Sequence, residues 1–251
     1  MLHRLDGIVL RTTDYGESNK VVTILTPEEG KTALMARGAK KPKSPFASAC
    51  QPLIHAVFVY YQGRGMGSLN QADIVTSFRK LRTDLLLTAY ATYTLELIDR
   101  LTEDRTPSRP LYDLAYFVLL AMEEGADPEV LVRLAETKML AFTGSAPLLH
   151  ACRECGSAEG PFRFSMQHGG VLCPDHQYDA ERLMPVGPKT IKLLRLFQQM
   201  PPDRIGEIRV KPETKKEMKL LLETYYDTYV GVRLKARRFL EQMEAMENPE
   251  D

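Results

Sequence analysis

The run Lys20-Val21-Val22-Thr23-Ile24-Leu25-Thr26, the turn Pro27-Glu28-Glu29-Gly30, and the run Thr32-Ala33-Leu34-Met35-Ala36 decide the fold class of the N-terminal third. Both flanks are dense in apolar and β-branched residues, and the proline and glycine between them mark a reversal, so the stretch reads as two strands. Working outward, Gly7-Ile8-Val9-Leu10-Arg11 supplies an earlier strand, Leu53 to Tyr61 a fourth, and Ile74-Val75-Thr76-Ser77-Phe78 a fifth. Five short strands in about 80 residues predict a small barrel, and the oligonucleotide-binding (OB) barrel is the commonest five-stranded solution. Gly63-Arg64-Gly65-Met66-Gly67 follows a strand but precedes another strand rather than a helix. It therefore reads as a hairpin turn with Arg64 at its tip, not as a phosphate-binding loop.

From about residue 83 the apolar period changes. Leu86, Tyr90, Tyr93, Leu97 and Leu101 recur at steps of three and four, the stripe of an amphipathic helix. Pro107, Ser108 and Pro110 interrupt it, Leu111 to Glu124 reads as a second helix ending at Gly125, and Asp127-Pro128-Glu129 starts a third that runs to about Phe142. These three predict a bundle-like unit.

The chain has 33 Lys+Arg and 33 Asp+Glu in 251 residues. A neutral total argues against a nucleic-acid binder, which usually carries a basic excess. The distribution argues otherwise. Residues 1–82 hold twelve bases and six acids, residues 83–150 five bases and eleven acids, and the stretch from Arg182 to Arg238 fourteen bases and six acids. Two basic blocks flank an acidic middle, and such asymmetry is a cue to partners. No signal peptide fits the N-terminus. The longest apolar run, Leu114 to Met122, has nine residues, against roughly 20 for a membrane helix. A protein of the cytoplasm, without a membrane partner, is expected.

Three of the four cysteines cluster: Cys152-Arg153-Glu154-Cys155, a 17-residue spacer, then Cys173-Pro174-Asp175-His176. Two closely spaced pairs of such ligands suit tetrahedral zinc, with Cys152, Cys155, Cys173 and His176 as the set. All four positions are then protein ligands, the mark of one structural Zn2+ rather than a catalytic ion. A rival set replaces His176 by His168, but it needs its last two ligands on a helix, which Gly169-Gly170 disfavours. Phe162-Arg163-Phe164 and Val171-Leu172 look instead like two strands of a ribbon reversing at the glycines. Zinc deaminases need H-x-E, and no histidine here is followed by x-Glu. Cys50 reads as a buried structural thiol.

From Gly30 to Ala72 there is no acid, while Lys31, Arg37, Lys40, Lys41, Lys43 and Arg64 lie inside. The segment from Arg37 to Phe46 suits a flexible loop that lays cations along phosphates, which supplies affinity without sequence readout. Tyr15, Phe46 and Tyr61 are either base-stacking aromatics or ordinary barrel rings. In the second block, Lys211, Lys215, Lys216 and Lys219 lie near glutamates and suit a solvated helix face as well as a polynucleotide-binding one. Arg233, Lys235, Arg237 and Arg238 lack interleaved acids and are the better DNA-binding candidates.

The stretch Gly7 to Lys20, the following Leu-Thr-Pro-Glu-Glu-Gly, the Ala36-Arg-Gly-Ala-Lys-Lys turn, Leu149 to Gly156 and Gly169 to His176 together resemble the RecO family of bacterial recombination mediators and DNA-repair proteins along nearly the full chain. The resemblance implies an N-terminal OB barrel and a helical domain carrying a zinc knuckle. It implies binding to single- and double-stranded DNA, annealing of complementary strands, and help in loading RecA onto strands coated by single-stranded-DNA-binding protein. RecR and the acidic tail of that coating protein are the implied protein partners. The expected organisation is α+β and multidomain: a five-stranded OB barrel over 1–80, a mainly α-helical domain over 81–149 and 181–251, and a zinc knuckle or ribbon inserted at 150–180. The rival classes are an RNA-binding translation or processing factor built from the same parts, and a metalloenzyme, which the closed ligand set disfavours.

Overall fold

Five strands close on themselves at the N-terminal end of the chain. They are β1 (Leu2–Tyr15), β2 (Asn19–Thr26), β3 (Gly30–Ala36), β4 (His55–Tyr61) and β5 (Gly67–Thr76), joined in the order β1-β2-β3-β5-β4. The computed structural model describes residues 1–178, 183–205 and 208–247. Every neighbouring pair is antiparallel except β3–β5, which is parallel and matches only Leu34 with Gly67 and Met35 with Ser68. This is the expected OB barrel, and its core gathers Val9, Ile24, Leu34, Ile54, Phe58 and Tyr60. Cys50 lies in that core, 1% exposed, and burial pushes its thiol up to about 11.

Two strands differ from the sequence expectation. β1 runs past Gly7–Arg11 in both directions because it pairs with two partners: Leu2 to Ile8 with β4, and Ile8 to Tyr15 with β2. Its polar ends carry no apolar alternation to betray them. β5 begins at Gly67 rather than Ile74, since Ser68 to Asp73 is held by its ladder to β4 while Leu69 alone among its side chains is buried. The Gly63–Gly67 stretch is the β4–β5 turn, as read.

The connection from Arg37 to Ile54 is not a flexible loop. Successive turn bonds run Lys41 N to Gly38 O, Ser44 N to Lys41 O, Ala47 N to Ser44 O and Cys50 N to Phe46 O, at 3.0–3.2 Å. Its own Ala39, Ala49, Cys50 and Leu53 are buried. The segment is a folded cap on the barrel.

Helices α1 (Arg79–Thr83), α2 (Leu85–Leu101) and α3 (Arg109–Glu124) follow. Asp84 breaks α1 from α2 and caps α2 by accepting from the Leu87 N–H. Ser108 does the same for α3. The final helix, α7 (Lys235–Glu247), returns to pack on α2, where Glu96 accepts from the N–H groups of Lys235 and Ala236 and Tyr90 donates to Glu244. Residues Met1–Gly125 and Leu234–Asp251 thus form one compact unit.

Two polar nodes fix the helices of this unit to the barrel. The buried Lys31 ammonium donates to the carbonyls of Asp99 (2.6 Å) and Thr102 (2.8 Å) and pairs with the carboxylates of Asp99 (3.2 Å) and Asp104 (3.3 Å). Arg11 shares Asp99 at 2.7 Å. Beside it, Gly30 has φ +63°, and a Cβ there would lie 2.2 Å from the Thr106 carbonyl oxygen, so only glycine lets the 102–106 segment approach. At the second node Asp6 accepts from the Tyr112 hydroxyl and from His55 Nε2 (2.9 Å), and burial, with that hydrogen bond, drives the Tyr112 hydroxyl far above its usual range.

The other unit, Ala126–Arg233, holds α4 (Pro128–Phe142), the ribbon strands β6 (Arg163–Ser165) and β7 (Gly170–Leu172), α5 (Pro188–Gln199) and α6 (Pro212–Tyr225). The three helices expected in one bundle are therefore divided, with α4 packing on α5 and α6. Lys215 of α6 reaches Asp127 (2.5 Å) and Glu129 (3.3 Å) in the first turn of α4. Arg133 and Glu136, both 2% exposed at the side chain, pair at 2.8 Å inside this unit.

Removing one partner of a buried ion pair costs about 3–5 kcal/mol. Lys31→Ala should lose about 3 kcal/mol of unfolding free energy, the low end, because Arg11 still holds Asp99. Chemical denaturation checks this; an unchanged midpoint would show that the ammonium is not the anchor.

Candidate metal centre and nucleic-acid surfaces

Local backbone chemistry brings the two ligand pairs together. The first pair sits in a tight turn in which Cys152 N donates to Ser157 O (2.8 Å) and Gly156 N to Cys152 O (2.9 Å). Arg153 N ties that turn to Val171 O of β7 at 2.8 Å. The second pair begins where β7 ends: Cys173 precedes a 3-10 turn over Pro174–His176, closed by His176 N to Cys173 O at 3.0 Å. The ribbon carries the spacer, pairing Arg163 with Leu172 and Ser165 with Gly170, and reverses at Gly169 with φ +62°.

As a result Sγ of Cys152, Cys155 and Cys173 and a ring nitrogen of His176 lie within 4.8 Å of one another. Cys155 Sγ stands 3.7 Å from Cys173 Sγ, and His176 Nδ1 stands 3.2 Å from Cys173 Sγ and 3.8 Å from Cys152 Sγ. A tetrahedral ion with sulfur at about 2.3 Å and nitrogen at about 2.0 Å requires ligand–ligand edges of roughly 3.5–3.8 Å. The group fits a metal ion of that geometry. Burial, together with the neighbouring Cys152 and Cys155 thiols, pushes the Cys173 thiol upward. Three thiolates this close repel one another, and a divalent cation at their centre relieves the repulsion. His168 stands apart from the group: its Nδ1 meets Ser165 Oγ at 2.8 Å and its Nε2 meets Glu154 at 3.2 Å.

The cation candidates of the barrel separate into three groups. Arg37, Lys41 and Lys43 are exposed. Lys40 N donates to Ser18 O (3.0 Å) and Gly38 N to Asn19 Oδ1 (2.9 Å), which seats the start of the cap against the β1–β2 turn beside the exposed Tyr15. The Lys40 ammonium is engaged with Asp14 at 2.8 Å, and that hydrogen bond holds the Asp14 carboxyl below its ordinary range. Arg64 and Tyr61 are exposed at a different turn, where the N-terminal amine meets Gln62 O (3.5 Å) and Tyr60 donates to Glu29 (2.8 Å). Lys31 is a correction: it is 8% exposed and its ammonium is bound inside the fold, so it presents no charge to a phosphate. Phe46 likewise packs against the barrel core.

The C-terminal candidates fall on both units. Arg233 is exposed at the end of the second; Lys235 and Arg238 are exposed on α7 of the first, and Arg237 bonds Glu241 at 3.1 Å.

A cavity of about 710 Å³ in the second unit was not read from the sequence. Leu193, Leu196 and Ile208 form its apolar floor, and Lys192, Arg195 and Lys211 are among the cations at its wall, with no carboxylate among the described lining residues. The signal was present in Lys189-Thr190-Ile191-Lys192-Leu193-Leu194-Arg195, where cations recur at steps of three beside leucines.

Among the described residues no helix is long and apolar enough to cross a membrane. Residues 1–78 match the family described as Recombination protein O N terminal, and residues 82–238 match Recombination protein O C terminal. The chain is 45% identical over 243 residues to DNA repair protein RecO of Exiguobacterium sibiricum, covering 97% of this chain and 98% of the relative. It is 46% identical over 244 residues to DNA repair protein RecO of Bacillus cereus and of Bacillus anthracis, with the same coverage. A barrel, a helical region and a three-cysteine, one-histidine group thus coincide with relatives matched end to end, and the chain belongs to the RecO family of DNA repair proteins.

Proposed function

We propose that this chain is a non-enzymatic recombination mediator that binds single- and double-stranded DNA, anneals complementary strands, and helps load RecA onto strands coated by single-stranded-DNA-binding protein. The observation that carries the reading is the exposed set Arg37, Lys41 and Lys43, with no acid in its own segment, on a folded cap seated against the β1–β2 turn next to Tyr15. Cations on a rigid support neutralise phosphates without first being ordered, and an exposed ring beside them offers a base a stacking surface. Arg64 and the C-terminal Arg233, Lys235, Arg237 and Arg238 supply further positive charge. Charge from more than one surface screens the repulsion between two strands during annealing. In this reading residues 1–80 are the DNA-binding barrel, 81–149 and 181–251 the helical domain and 150–180 the metal knuckle, in a cytoplasmic, nucleoid-associated protein whose partners include RecR.

The metal in this reading is one structural Zn2+, held by Cys152, Cys155, Cys173 and His176. Bound there, the ion supplies fold stability rather than chemistry: all four ligands are protein groups, and structural zinc contributes on the order of 10–16 kcal/mol to a local fold. Elemental analysis should find one zinc per chain. Chelation should open residues 150–178 to proteolysis in the wild type, and His168→Ala should keep its zinc. Zinc-free protein with an unchanged digestion pattern after chelation would refute the assignment.

For DNA, single-strand affinity falls with salt at a slope of about −0.7 per phosphate neutralised. Replacing Arg37, Lys41 and Lys43 by Glu should flatten that slope by about 2 and weaken binding uniformly across sequences. An unaltered slope would exclude the cap, and preferential competition by a matched RNA strand would favour an RNA-binding role instead.

The cavity of the second unit suits the acidic tail of the coating protein, because its cations and apolar floor match a ligand both anionic and apolar. Lys192→Glu with Arg195→Glu should weaken binding of a synthetic tail peptide about tenfold or more, as charge reversal at an interface does. Full affinity in that variant, measured by fluorescence anisotropy, would move the tail elsewhere.

A further inference from the structure

Access separates Cys155 from the other members of its group. Cys152 and Cys173 are 1% and 2% exposed, His176 is half-buried, and Cys155 is exposed. It sits in the run Arg153 to Gly156, every residue of which is exposed, and Gly156 has open space on its Cβ side. Cys155 Sγ lies 3.7 Å from Cys173 Sγ. A disulfide needs about 2.0 Å, so the sulfurs must close by about 1.7 Å, within what an exposed turn can supply. Cys50, the remaining cysteine, is shut in the barrel core.

The geometry points to Cys155 as an oxidation site through which a peroxide converts the metal-holding group into a Cys155–Cys173 disulfide and releases the ion. The inference rests on the reading that these four groups hold a metal. Hydrogen peroxide is the co-reactant. The Cys155 thiolate attacks one peroxide oxygen, the O–O bond breaks, hydroxide leaves, and the sulfur becomes a sulfenic acid. The Cys173 thiolate then attacks that sulfur; the S–S bond forms, the S–O bond breaks, and a second hydroxide leaves. Two thiolates and one peroxide give one disulfide and two hydroxides, the sulfurs losing two electrons and the peroxide gaining them. Cys152 and His176 remain, half of a tetrahedral set, and the ion departs. A thiol reductant with added metal reverses the change. Oxidation follows thiolate access, which is why the exposed member of the three reacts first.

The test uses the full-length protein, first assayed for zinc and then treated with hydrogen peroxide. Metal release is followed with a colorimetric zinc indicator, and disulfides are mapped by mass spectrometry of tryptic peptides. About one zinc per chain should leave in step with a Cys155–Cys173 cross-link while Cys50 stays reduced, and dithiothreitol with zinc should restore the starting state. Cys155→His keeps a ligand atom but removes the accessible thiol, and the zinc-loaded variant should release metal about tenfold more slowly. If that variant takes up no zinc, the peptide map of the wild type decides alone. Zinc retained with Cys155 unmodified, a first cross-link through Cys152, or equally fast release from Cys155→His would overturn the inference while leaving the metal assignment standing. A wild-type chain that holds no zinc even after reconstitution would remove both.

Discussion

Closing a sheet of only five strands gives every strand two neighbours, and β1 meets its two with different halves of its length, Leu2 to Ile8 on β4 and Ile8 to Tyr15 on β2. Closure removes most of the unpaired backbone edge that a short open sheet would expose. It leaves a thin seam, the two-residue parallel match of β3 with β5. The start of β3 is instead covered from outside, by the 102–106 segment that Gly30 admits and Lys31 holds. The barrel and the helices of the first unit are therefore one construction: the ammonium of Lys31 satisfies two carbonyls at the end of α2 and pairs with the carboxylates of Asp99 and Asp104, the first of which it shares with Arg11.

The same accounting explains how a chain with 33 charges of each sign presents local positive surfaces. Several cations are engaged by carboxylates of the fold. Lys31 is buried, Lys40 is held by Asp14, Lys215 by Asp127 and Glu129, and Arg237 by Glu241. Among the described residues, the cap from Arg37 to Lys43 and the α5 pair Lys189 and Lys192 are examples of cations that face solvent without a carboxylate in the same segment. A sum over the chain cannot separate these two uses of lysine, since pairing depends on distances that only folding sets.

The cysteine–histidine group was legible almost whole because its chemistry is local. C-x2-C and C-x2-H each lie within a single turn, and the ribbon joining them has its reversal written in Gly169-Gly170. Helix boundaries were legible for a similar reason: Ser108, Asp127 and Gly125 act on the nearest backbone groups. β5 was half-missed because Ser68 to Asp73 offers only Leu69 and Ala72 to the core and stays in the sheet mainly through its ladder to β4. Lys31 was misread for the converse reason. It opens a stretch, Gly30 to Ala72, that is free of acids, while its partners Asp99 and Asp104 lie some 70 positions further along the chain.

Sequence alone thus determined the strand-rich start, the helical continuation, the four clustered ligands and the family, because each is encoded in residues close along the chain or in a pattern running its full length. Tertiary structure decided which helices share a unit, which lysines remain available to a phosphate, that the Arg37–Phe46 segment is a folded cap, and that leucines and cations of α5 wall a cavity. Those are consequences of long-range packing and ion pairing, where the partner's position in space, not its position in sequence, sets the energy.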